Sequence, residues 1–101
     1  MSNKSYRIVY SHIAKQEIKE AAEWYNKQQK GLGKYLTDDI TILQNKIRNN
    51  PFFASVEYDV IRSSSCKRFP YSIHYYIDEK RNRIVVLSFF HFSKKPYWLK
   101  E

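Results

Sequence analysis

Phe69-Pro70-Tyr71-Ser72-Ile73-His74-Tyr75-Tyr76-Ile77-Asp78 is the stretch that decides the fold. Aromatic and β-branched residues at 69, 71, 73, 75 and 77 alternate with Pro70, Ser72, His74, Tyr76 and Asp78. That period of two is a strand with one covered face. Asp78-Glu79-Lys80-Arg81-Asn82 is then a polar turn, and Ile84–Phe92 is a long apolar strand. Its unbroken hydrophobicity places it centrally, covered by helices and flanked by partner strands. Upstream, Val56–Ile61 reads as one further strand.

Before Pro51 the period lengthens. Leu36, Ile40, Leu43 and Ile47 recur at helical spacing, and Asn49-Asn50-Pro51 ends that helix because a residue preceding proline avoids the α region. An earlier helix carries Ala14, Ile18, Ala21, Ala22 and Tyr25 on one face, with Lys15, Glu17, Lys19, Glu20 and Glu23 on the other. Gly31 and Gly33 break the pattern between the two. Ser11 stands at the N-cap position, where its hydroxyl can accept from an orphan backbone N–H. Tyr6–Tyr10 supplies a first strand. The expected architecture is β-α-α-β-β-β, an α+β domain over residues 1–101. A helical hairpin packs on one face of a mainly antiparallel four-stranded sheet. The other face is left to water or to a partner.

With 101 residues the chain has room for one core, not for a separate cofactor-binding domain. Lys and Arg number 18 against 10 Asp and Glu, a net charge of +8. Between Arg62 and Lys100 there are nine basic residues against two acidic ones, so the excess sits in the sheet half. Aromatic residues make up 17% of the chain, enough for a packed core. Basic residues interleaved with aromatics suit a surface that meets phosphates and bases. A single cysteine, Cys66, permits no internal disulfide and reads as an idle packed thiol in a reducing cytoplasm. No stretch approaches the ~18 apolar residues of a membrane span, so no membrane role is expected. His12 reads as a surface residue. His74, on the polar face of its strand, and His91, at the end of the last one, are candidates for acid/base work beside cations. Metal-ligand spacing, glycine-rich phosphate loops and catalytic triads are not evident, and no cofactor is expected.

The Arg68-Phe69-Pro70-Tyr71-Ser72-Ile73-His74-Tyr75-Tyr76-Ile77-Asp78 strand, the Arg83–His91 strand and the His91-x-x-Lys94-x-Pro96 ending together resemble the RelE/ParE superfamily of bacterial toxins. Ala21-Ala22-Glu23-Trp24-Tyr25-Asn26 and Gly33 resemble that family's first helical hairpin. The resemblance covers nearly the whole chain. It implies the toxin of a type II toxin–antitoxin, plasmid-stabilisation type module. Its RelE-like branch cleaves mRNA on the ribosome without a metal, and Arg68, His91 and Tyr97 would be the catalytic residues. The ParE-like branch inhibits DNA gyrase by binding and is no enzyme. In either branch Lys67, Arg68, His74, Arg81, Arg83, Lys94 and Lys95 would contact the target. Phe52-Phe53-Ala54 supplies none of the lysines of the RelE pattern, and the ending favours the ParE-like branch. A cognate acidic antitoxin is the implied partner, in a homodimer or a toxin–antitoxin hetero-oligomer.

Overall fold

Ser11 fixes the first junction of the chain. In the computed structural model, which describes residues 6–94, strand β1 (Arg7–Tyr10) passes directly into helix α1 (His12–Gln28). The Ser11 hydroxyl accepts from the Ala14 N–H at 3.0 Å and donates to the Leu87 carbonyl at 2.8 Å. One side chain therefore caps the helix and ties it to the sheet.

Helix α2 (Leu32–Asn49) returns antiparallel to α1 and ends before Pro51, as the sequence predicts. Its Leu36, Ile40, Leu43 and Ile47 are all buried. Gly31 adopts φ 89°, a left-handed conformation that favours glycine. Gly33 has a different role from the helix-breaking one expected: it lies inside α2. A Cβ there would stand 2.5 Å from the Ala22 carbonyl oxygen, so glycine is what lets the two helices approach. The Asn26 side chain accepts from the Gly33 N–H at 2.8 Å and secures that approach.

Among the described residues five strands, not four, form the sheet. The expected strand at 56–61 is split by a turn in which Asp59 has φ 54°, giving a short hairpin of β2 (Val56–Tyr58) and β3 (Ile61–Ser65). Aspartate tolerates this conformation better than most residues. β4 (Tyr71–Asp78) and β5 (Arg83–His91) follow, joined by a 3₁₀ turn at Glu79–Arg81. The order across the sheet is β1-β5-β4-β3-β2, with β1 parallel to β5 and every other pairing antiparallel. β5 is thus an inner strand, as its hydrophobic run predicts.

Tyr75, Phe89, Leu36, Ile47, Ile73, Ile84 and Val86 form the fully buried centre between the helices and one sheet face. Burying each such side chain contributes about 1.5–3 kcal/mol. The segment after α2 is held from the sheet. The Tyr75 hydroxyl donates to the Pro51 carbonyl at 2.7 Å, and Arg62 donates to the carbonyls of Phe52 and Ala54. Burial pushes the Tyr75 phenol up to about 12, so it remains a donor at any physiological pH. Among the described residues no helix is long and apolar enough to cross a membrane.

Candidate functional site

β1 stops opposite Val86, so among the described residues the rest of β5, Leu87–His91, has no strand on that side. A register shift in the β4–β5 pairing also passes over Leu87: His74 faces Ser88, and the next pair is Tyr75 with Val86. Backbone polar groups exposed in this way need other partners. Glu17 of α1 provides one, its carboxylate accepting from the Phe89 N–H at 2.8 Å and from the Ser88 hydroxyl. Glu17 therefore faces the sheet, contrary to its expected place on the solvent face of α1.

Below Glu17, α1 and the ends of β4 and β5 diverge around a cleft of about 160 Å³. It is lined by Glu20, Trp24, Tyr71, Phe89, His91 and Lys94, among others. Its wall is aromatic. Tyr71 stacks on Phe89 with centroids 4.9 Å apart and meets His91 edge-on at 5.4 Å. Tyr25 joins Tyr71 to Phe69 and Trp24, at 6.1, 5.0 and 4.9 Å respectively. Burial, and then the neighbouring Tyr25, raises the Tyr71 phenol above its ordinary value. Trp24 is 55% exposed, a large apolar ring open to a partner at the mouth of the cleft.

His91 is fixed by the bend that follows it. Its Nδ1 accepts from the Ser93 N–H at 3.1 Å and lies 2.9 Å from the Ser93 hydroxyl. A neutral ring held in this way carries its proton on Nε2.

Arg68 lies at the same end of the sheet, in the β3–β4 connection. That connection is closed by Cys66 N–H to the Tyr71 carbonyl, 2.9 Å, and Phe92 N–H to the Pro70 carbonyl, 2.9 Å. Asp39 of α2 is only 3% exposed and holds Arg68 twice. It accepts from the Arg68 backbone N–H at 3.0 Å and stands 3.5 Å from the Arg68 Nε. The guanidinium also lies 5.7 Å from the Tyr35 ring centroid, yet its side chain stays half exposed. Asp39 interrupts the Leu36–Ile40–Leu43 stripe. An acid at a core position was the sequence signal for this contact.

The other expected site residues are dispersed. Lys67 and Lys94 are exposed at the Arg68 end. Arg81 and Arg83 lie at the opposite end of β4 and β5, on the order of 20 Å away for strands of this length. Both donate to Asp78 at 3.2 Å. For Asp78, burial works upward but is outweighed by the Arg81 and Arg83 hydrogen bonds, which hold the carboxyl below its usual range. His74 is on the face away from the helices, as expected, but it is buried there instead of open. It stacks on Phe90 at 4.3 Å, and burial lowers its pKa to about 4, so it is uncharged at neutral pH and offers no cation to a phosphate. Burial, then Asp39, pushes the Cys66 thiol up to about 12, in keeping with an unreactive packed cysteine. Lys95 and Tyr97 lie outside the described residues. Among the described residues no three His, Cys, Asp or Glu side chains gather as metal ligands do.

No family model and no curated protein sequence matches the chain. Solved structures do. The chain is similar to one in the chromosomal ParDE TA system from P. aeruginosa, at 12% identity and a TM-score of 0.75, over 88% of this chain and 98% of that one. It is also similar to one in the toxin–antitoxin complex RelBE2 from Mycobacterium tuberculosis, at 14% identity and a TM-score of 0.63, over 92% and 98%. At these identities what is shared with both chains is the fold.

Proposed function

We propose that this chain is the growth-inhibiting toxin of a type II toxin–antitoxin pair. The observation that carries the proposal is the fold, shared along nearly the full length of a chain from a ParDE system. A cognate acidic antitoxin is the partner that a chain of net charge +8 suits, folding on contact and associating faster at low salt.

The target is DNA gyrase, bound and not chemically altered. The dispersal of the charged residues supports this reading. An RNA-cleaving centre needs cations and an acid/base pair converging on one phosphate. Here His74 is buried and neutral, Arg81 and Arg83 are engaged by Asp78 at the far end, and Arg68 is held by Asp39. What remains at the cleft is an aromatic wall flanked by Lys94 and Glu20, which is a binding surface. Gyrase incubated with supercoiled plasmid and the purified chain should accumulate cleaved DNA. Undiminished supercoiling at stoichiometric excess of the chain would contradict the reading.

One observation favours a second reading, a ribosome-dependent endoribonuclease. His91 lines the cleft with Lys94, its Nδ1 occupied by Ser93 and its Nε2–H left to donate a hydrogen bond to a phosphate oxygen. On that reading toeprints of a translated mRNA gain cuts when the chain is added, and His91→Ala removes them.

A further inference from the structure

Among the described residues β2 is the last strand of the sheet and pairs with β3 alone. Among the described residues no strand answers the backbone groups of its outer edge. Sheet edges of this kind are ordinarily blunted by lysine or proline. Here the edge and its turn carry Val56, Tyr58 and Val60, all about half exposed, with Phe52 beside them. A groove of about 210 Å³ runs under this edge, lined by Phe52, Val56, Asp59, Val60, Ile77 and Glu79, among others. Arg62, which also lines it, is turned to the carbonyls of Phe52 and Ala54 and lies 5.3 Å from the Phe52 ring centroid. The charges left facing outward are the acids Glu57, Asp59 and Glu79, all exposed. On a chain of net charge +8 this edge has the opposite sign to the rest of the molecule.

That inversion selects the occupant. A second copy paired edge to edge across a two-fold axis would set Glu57 and Asp59 against their own counterparts. An acidic partner would be repelled by the same groups. We propose that the β2 edge is a docking site for an extended basic segment of another protein, which adds as a sixth strand. Alternate apolar side chains of the segment enter the groove beside Phe52 and Val60. Lysines or arginines between them, on the opposite face of the added strand, meet Glu57, and a basic residue at the end of the segment meets Asp59 and Glu79 at the groove.

The test uses two fluorescein-labelled peptides, one alternating lysine with valine and one alternating glutamate with valine, titrated onto the full chain by anisotropy. The basic peptide should bind saturably, and less tightly as salt rises. In Glu57→Lys/Glu79→Lys, with its fold checked by circular dichroism, the basic peptide should lose about fivefold or more in affinity while the acidic one loses none. No saturable binding of the basic peptide, or binding that the double substitution leaves unchanged, would overturn the proposal. So would sedimentation showing a dimer at assay concentration that the same double substitution dissociates.

Discussion

The two ends of the β4–β5 pair are both rich in cations, and they are built differently. At the Asp78 end one largely covered carboxylate is shared by Arg81 and Arg83, and the exposed Arg81 is screened by solvent. At the Arg68 end the carboxylate, Asp39, is buried in the helical layer and reaches out to a single arginine. A ladder of aromatic rings then continues from Phe69 through Tyr71 to His91. The first arrangement keeps charge soluble. The second makes a structured surface in which an arginine is held by a buried carboxylate, near an open tryptophan and a histidine fixed by Ser93. Cations in a sequence become a recognition surface only where something buried orients them.

The contrast is sharpest in stability. Asp39→Ala deprives the Arg68 N–H and guanidinium of their buried acceptor, and chemical denaturation should register a loss of about 3 kcal/mol. A loss below about 1 kcal/mol would place the two ends on the same footing. Next in size is His74, whose pKa is lowered to about 4 from an ordinary 6.5. The unfolded chain takes up a proton below pH 6.5 that the folded chain refuses until about pH 4. Stability is therefore full above pH 6.5 and falls as the pH drops from 6.5 to 4, by about 2–3 kcal/mol. His74→Asn should flatten that fall in a pH series of denaturation midpoints; an unchanged slope would mean that another group is responsible. Arg68→Ala comes third. It leaves the Asp39 carboxylate buried with only the backbone N–H to answer it, a cost of about 1–2 kcal/mol, so folding persists while growth inhibition on induction weakens. Smallest is Asp78→Asn, which should leave the neutral-pH midpoint essentially where it was. A large shift there would erase the distinction between the ends.

Much of this was legible beforehand, and the exceptions share a cause. The α2 stripe, the Ser11 cap, the proline stop and the inner position of β5 follow from periods and local hydrogen bonding, which act within a few residues. Glu17 could not be placed that way, and for Asp39 the period gives the buried face but not the partner. Each is an acid whose partner is a backbone N–H far along the chain, and Glu17 is needed only because β1 ends early and leaves the end of β5 unpaired. The split of 56–61 rested on one residue, Asp59, adopting a left-handed conformation within a segment that alternates as a strand does. His74 has the correct strand face from its period, but period alone says nothing of how deeply a face is covered. The candidate site was half visible: Arg68, His91 and Lys94 stand out by residue type, whereas the Trp24 and Tyr71 walls appear only when α1 lies across β5.

The central claim is that the Arg68–His91 end of the sheet meets the target and the Asp78 end does not. Charge reversal of exposed lysines and arginines at each end, scored by growth after induction of the chain alone, tests it most directly. Lys67→Glu/Lys94→Glu should restore growth, and Lys80→Glu/Arg81→Glu should remain toxic, with both proteins accumulating in folded form. Growth restored by the second pair and not by the first would contradict the account.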